Sequence, residues 1–224
     1  MVTPGWEEHF AQLGTPASGL TVITNGTEPG DFVVAQTRDE LRLAHGISGF
    51  TAVFAGAHGP KDGLELILDA AAALPEINFI LVGAGPVKEQ ARARVRRENL
   101  TNVDFREPVA KRDLAGLLGA CDVGVHAVSP MAVFDKGMSP NKLFDYMASG
   151  IPVVSNAERG LRQVIVDGEC GHVGGPQSLE LGLTSVYEAT PDQRAKWGER
   201  GREIVTERFS RSTAAKELAA VLGS

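Results

Sequence analysis

Thr51-Ala52-Val53-Phe54-Ala55-Gly56-Ala57-His58-Gly59-Pro60-Lys61-Asp62-Gly63-Leu64-Glu65-Leu66-Ile67-Leu68-Asp69-Ala70-Ala71 is the stretch on which the fold turns. Thr51 to Ala55 is a β-rich run and Gly56 to Pro60 a turn. Leu64, Ile67, Leu68 and Ala71 then recur at helical spacing until Pro75 ends the pattern. A buried strand that passes through a glycine turn into a helix is the opening half of a βαβ unit.

Working outward, the unit repeats. Strands are predicted at Asn78 to Val82, Val103 to Phe105, Asp122 to Ala127 and Pro152 to Ser155. Helices are predicted from Pro86, at the first helical position, to about Asn99, from Arg112 to Leu118, from Ser139 to Gly150 and from Leu161 to Val166, followed by three terminal helical stretches. Such alternation predicts an α/β fold: a Rossmann-like, mainly parallel sheet with helices on both faces. Ligands are then expected at the carboxyl ends of the strands. Upstream, residues 1 to 19 read as a short helical stretch, Leu20 to Thr24 as a strand, and Asn25-Gly26 as a turn.

Composition narrows the function. The 224 residues carry 22 Lys and Arg against 28 Asp and Glu, a net charge of −6, and 43% are apolar. That is enough for a well-buried core, and the acidic balance argues against a nucleic-acid binder. The basic run Arg92, Arg94, Arg96 and Arg97 reads as a solvated helix face. No apolar run approaches the roughly 20 residues that span a bilayer, and the first twenty residues do not read as a secretion signal, so a cytoplasmic location is expected. Cys121 and Cys170 lack metal-ligand spacing and read as reduced thiols.

The densest chemistry lies in Ser139-Pro140-Asn141-Lys142-Leu143-Phe144-Asp145. With Ser139 as N-cap and Pro140 first in the helix, the amides of Asn141 and Lys142 are left without partners, a mouth suited to a phosphate. Lys142 and Asp145 are three apart and share a face. The pair suits a nucleotide diphosphate, the Lys on phosphate and the Asp on ribose hydroxyls; a plain surface ion pair is equally compatible with the spacing. The loop Gly56 to Gly63 lets backbone approach an anion but lacks the ending of a P-loop. Within it, His58 reads either as a sugar or phosphate contact or as a structural histidine. Gly83-Ala84-Gly85 is half of a dinucleotide fingerprint, with Lys88 where a third glycine would sit and Glu107 near the place of a ribose-binding acid. An NAD-dependent oxidoreductase therefore stays open, as does a non-catalytic interaction module. No Gly-x-Ser-x-Gly elbow occurs, and the five histidines show no metal-binding spacing.

Taken in order, these motifs resemble the donor-binding half of the retaining glycosyltransferases of family 4, which have the two-domain GT-B fold. Thr21 to Gly26 is similar to that family's interdomain segment, Ala52 to Gly63 to the first strand and glycine loop of its second domain, and Ile80 to Pro86 to the next strand and turn. Asn102 to Val109 is similar to the stretch leading to the base pocket, Ser139 to Val154 to the nucleotide-sugar helix, and Val166 to Gly171 to a later Asp-Gly-x-x-Gly turn. Two glutamates eight apart, frequent in the family, correspond here to Gly137 and Asp145, and a frequent loop Arg to Ala57. The Ser139-Pro140-Asn141-Lys142 opening is similar to a branch common in bacterial surface-polysaccharide assembly.

The resemblance implies a donor-binding site made of Gly56, His58, Gly59, Lys61, Pro108, Val109, Ser139, Pro140, Asn141, Lys142 and Asp145, with Lys142 and Asp145 nearest the chemistry. It implies a nucleotide-diphosphate sugar as donor substrate, uridine-based, and a retaining outcome. No metal is required, and no Asp-x-Asp triplet occurs to hold one. It also implies that residues 1–26 are the remnant of a first domain plus the interdomain segment, 27–209 the donor domain and 210–224 a closing helix. The acceptor, a glycan or lipid-linked sugar, is expected from a missing domain of a full-length, membrane-associated enzyme.

Overall fold

The computed structural model describes residues 3–158, 161–175 and 179–223. Six strands form one parallel sheet: β1 (Thr51–Ala55), β2 (Asn78–Val82), β3 (Val103–Arg106), β4 (Val123–His126), β5 (Val153–Ser155) and β6 (Gly171–Val173), in spatial order β3-β2-β1-β4-β5-β6. The order reverses between β1 and β4, and a switch point of this kind opens a crevice at the carboxyl ends of the strands. All five residues of β1 are buried, as a central strand covered on both faces requires.

Alternation along β1 divides the core. Val53 and Ala55 pack in the layer that contains α5 (Lys111–Ala120) and α6 (Asn141–Ala148), whereas Ala52 and Phe54 face α3 (Leu64–Ala73) and α8 (Leu179–Glu188). The remaining helices are α1 (Glu7–Gln12), α2 (Arg38–His45), α4 (Lys88–Glu98), α7 (Arg162–Ile165), α9 (Pro191–Arg208) and α10 (Arg211–Leu222). Tyr146 on α6 is fully buried over Gly124 of β4, where an added Cβ would come within 2.4 Å of the ring. Its phenolic oxygen accepts the Ala55 N–H at 2.8 Å, which ties α6 to the end of β1. At the other end of α6, Arg202 of α9 donates to the carbonyls of Ala148 and Ser149, both at 3.1 Å, and so satisfies orphan C-terminal acceptors.

Several expectations are corrected. Leu20 to Thr24 forms no strand. The sheet edges are β3 and β6, and the residues that follow this segment are held elsewhere: Asn25 bonds Ser139, and Thr27 makes a bridge with Ser210. Pro86 lies in a turn and α4 starts at Lys88. Two elements lie outside those expectations. The capping box Thr37–Glu40 starts α2, and the turn after Asp167 feeds β6. The basic run is not simply solvated, since Arg94 is only 16% exposed and meets Glu65, Asp69 and Glu98, joining α4 to α3. Cys121 and Cys170 are free and buried.

Candidate functional site

A cavity of about 710 Å³ opens at the carboxyl ends of β1, β2 and β4 against the first turn of α6. The helix starts one residue later than its sequence suggests. Pro140 is the N-cap, extended at ψ 126°, and its carbonyl receives the Leu143 N–H at 3.1 Å. Ser139 does not cap. Its hydroxyl accepts the Asn25 N–H at 3.0 Å and its carbonyl the Asn25 side-chain amide at 2.6 Å. Among the described residues, the amides of Asn141 and Lys142 have no protein acceptor, so the first turn presents two free donors on the cavity side.

Lys142 runs inward from that turn. Its Nζ lies 3.1 Å from Asp62 Oδ1 and 4.0 Å from the centre of the Phe54 ring. Burial draws the ammonium below its ordinary value, against the pull of Asp62, which favours the charged form. The slot exists because residue 56 is glycine: a Cβ there would stand 2.9 Å from Cε and Nζ of Lys142. The other oxygen of Asp62 accepts the Gly59 N–H at 3.2 Å, so one buried carboxylate braces the loop and the lysine together.

At the opposite end, Pro108 and Val109 form a wall beside Lys111. Lys111 Nζ is 3.3 Å from Asp145 Oδ1 and 3.0 Å from Thr27 Oγ1, and lies 5.4 Å from the centre of the Phe32 ring. Lys142 and Asp145, which spacing alone allowed as an ion pair with each other, are instead paired with Asp62 and Lys111 respectively.

The structure thus brings Gly56, Lys61, Pro108, Val109, Ser139, Pro140, Asn141, Lys142 and Asp145 to one cavity, and leaves Gly59 and His58 off its lining. His58 is fully buried between Phe54 and Phe105, with neither ring nitrogen bonded. Burial, and secondarily Lys88, hold its pKa below the ordinary value. A buried ring of this kind fits the structural alternative, and the structure keeps His58 off the cavity lining. Gly59 serves the Asp62 brace.

The dinucleotide reading meets a physical obstacle. A Cβ on Gly83 would stand 1.8 Å from the Gly56 carbonyl oxygen, and one on Gly85 2.3 Å from that of His58, so these glycines let two loops pack on each other. Lys88 fills the turn from behind, donating to the Gly83 carbonyl at 2.7 Å and the Arg106 carbonyl at 3.0 Å. Glu107 pairs with Lys88 at 2.8 Å. The supposed ribose acid is thus bound to the residue that replaces the third glycine, and the NAD alternative is not favoured.

Among the ionisable residues lining the cavity, sequence reasoning missed three: Asp62, Lys111 and His126. Lys111 and His126 carry no spacing signal relative to the helix mouth, because only the sheet order brings their elements beside it.

The sequence profile of the family described as Glycosyl transferases group 1 matches residues 49–184. The chain belongs to this family. Among curated relatives, this glycosyl transferases group 1 chain is 34% identical over 98 residues to the UDP-glycosyltransferase TURAN of Arabidopsis thaliana, covering 43% of this chain and 20% of that protein. It is 28% identical over 138 residues to the putative teichuronic acid biosynthesis glycosyltransferase TuaH of Bacillus subtilis, covering 59% and 33%. Among solved structures it resembles Anabaena Alr3699/HepE in complex with UDP and glucose, with TM-score 0.83 and 24% identity over 99% of this chain and 61% of that one. It also resembles WaaG, a glycosyltransferase involved in lipopolysaccharide biosynthesis, with TM-score 0.81 and 20% identity over 100% and 62%. The chain therefore spans a fifth to a third of these curated relatives and about three fifths of these structures. Its fold matches one domain of GT-B glycosyltransferases. No helix among the described residues is long and apolar enough to cross a membrane.

Proposed function

We propose that this chain is the donor-binding half of a glycosyltransferase that takes a sugar from a nucleotide-diphosphate sugar, UDP-linked, and delivers it to a glycan or lipid-linked acceptor held by a further domain. One observation carries the reading: two free helix-turn amides, a half-buried lysine and a carboxylate one turn deeper line the same cavity. HepE, the related structure of Anabaena, was solved with UDP and glucose, which supports a nucleotide-sugar donor here.

In this scheme the base rests at Pro108 and Val109, and a ribose hydroxyl donates to Asp145. The diphosphate meets the amides of Asn141 and Lys142, the Lys142 ammonium and the loop around Gly56 and Lys61. Cleavage at the anomeric carbon leaves negative charge on the departing diphosphate, and donors fixed in advance stabilise it as it develops. No step is assigned to a metal. Retention at the anomeric carbon, membership of family 4, a role in bacterial surface-polysaccharide assembly and a cytoplasmic setting with membrane association of the whole enzyme rest on sequence resemblance. So does the division into an entry segment (1–26), a donor domain (27–209) and a closing helix (210–224).

Calorimetry tests the reading. UDP is expected to bind the wild-type chain, and Lys142→Ala and Asp145→Ala each to weaken it about tenfold or more, as for loss of a hydrogen bond to a charged group. Equal affinity in both variants overturns the assigned roles.

A further inference from the structure

His126 ends β4 at 2% exposure and stands opposite Ser155 of β5 in the parallel ladder. Val123, Val125 and Ala127 pack on the α3 side of the sheet, so Gly124 and His126 face α6. Tyr146 covers Gly124, and His126, one pleat nearer the strand end, lines the cavity beside Lys142.

The hydrogen bonds fix its proton. Nδ1 lies 2.8 Å from Ser155 Oγ, which already accepts the Ala157 N–H at 3.1 Å. The hydroxyl hydrogen of Ser155 has one acceptor among the described residues, Nδ1, so Nδ1 accepts and the ring proton sits on Nε2. Nε2 has no protein partner among the described residues, and the residue lines the cavity. Burial, with Lys142 adding, lowers the pKa to about 3, so the ring is neutral at working pH. A second cation beside Lys142 would be repelled, whereas a neutral N–H adds a donor without that cost.

We propose that His126 donates a hydrogen bond from Nε2 to the departing diphosphate, and that Ser155 is the positioning residue that holds the donating tautomer. This rests on the donor-binding reading above and deepens it: the leaving group is gripped from the sheet as well as from the helix.

The test is calorimetry with UDP and UMP on the wild type, His126→Leu, His126→Gln and Ser155→Ala, with nitrogen-15 NMR of the histidine rings. His126→Leu is expected to lose about tenfold for UDP and to keep UMP affinity within about twofold, with His126→Gln regaining most of the loss through its own N–H. The wild-type ring is expected to be protonated at Nε2, with a resonance that moves on adding UDP and holds still with UMP; this readout stands even if His126→Leu fails to fold. Ser155→Ala is expected to mix the tautomers, which loss of packing alone would not do. A ring protonated at Nδ1, an Nε2 resonance indifferent to UDP, or equal losses for UDP and UMP overturns the proposal. Wild-type chain that binds no UDP removes the donor-binding reading and this proposal together, while UDP binding blind to His126 removes this proposal alone.

Discussion

Gly56→Ala separates binding from stability. The new methyl would stand 2.9 Å from both Cε and Nζ of Lys142, well inside the roughly 3.5–4.0 Å of carbon–carbon contact. Those atoms are the far end of a flexible side chain, so relief comes from swinging the ammonium away rather than from moving backbone. The fold then loses a 3.1 Å ion pair and a cation–π contact. Asp62 keeps its bond from the Gly59 amide. We expect a stability cost of about 1–2 kcal/mol, because re-solvation of the displaced ammonium offsets part of the lost cation–π contact and charged hydrogen bond. The displaced ammonium would no longer point where the proposed scheme puts the diphosphate, so UDP affinity is expected to fall about tenfold or more. Gly83→Ala is the control. There the Cβ would meet a backbone oxygen at 1.8 Å from a φ of +148°, and nothing nearby can yield cheaply. That variant is expected to lose several kcal/mol or fail to fold. Urea unfolding and UDP calorimetry, with Lys142→Ala completing a double-mutant cycle, form the assay. If the clash acts through Lys142, Gly56→Ala costs little binding once Lys142 is already alanine. Additive losses in the cycle, or undiminished UDP affinity in the single variant, refute the reasoning.

Gly124→Ala drives a Cβ to 2.4 Å from the buried Tyr146 ring, and urea denaturation is expected to show a loss of about 1–3 kcal/mol or more, as for overpacking a tight core. Arg202→Met strips the bonds at the end of α6 and is expected to cost about 1–3 kcal/mol, read as a lower urea midpoint at unchanged slope. Acid should destabilise the fold through its buried histidines. His58 and His126 both have folded pKa values below the unfolded one, so the unfolded chain binds more protons; stability is full above about pH 6.5 and falls toward the folded values, near pH 3 for His126, by up to roughly 1.4 kcal/mol per pH unit for each group. His58→Leu, which removes two unbonded buried nitrogens, should hold or raise stability at pH 7 and flatten that acid slope in urea midpoints taken from pH 8 to 4.

The residues made much of this legible, and what they hid has physical causes. β1 and β2 were bounded by their buried apolar runs and glycine turns, the two signals a central parallel strand must carry. β6 was hidden because a three-residue strand at the sheet edge carries little apolar pattern: Gly171 and His172 are half-buried and only Val173 is fully covered. Leu20 to Thr24 misled in the other direction, because β-propensity measures fit to a half-buried surface and says nothing of whether an edge is free to pair. At the site, the helix mouth was readable since free amides follow from chain-local geometry. The partners of Lys142 and Asp145 were not, because Asp62 and Lys111 are 80 and 34 residues away along the chain. His58 is open to two readings from the chain alone, and its burial against Phe54 and Phe105 comes from elements brought together by the fold.

The positions of those partners explain how the Lys142 ammonium can sit largely out of water in the cleft. Leaving Lys142 desolvated without a counterion would cost several kcal/mol, and Asp62 offsets that with one oxygen while the other remains with the loop. An ammonium has three hydrogens, so the pairing leaves donors for an incoming phosphate. Asp145 is held likewise by Lys111, which also reaches Thr27, and the neighbouring Asn25 clamps Ser139 immediately before the helix mouth. Asn25 and Thr27 therefore bond residues on two sides of the cavity, Ser139 just before the first turn of α6 and Lys111 beside Asp145. A movement of residues 25–27 would therefore alter the contacts of Ser139 and Lys111 together.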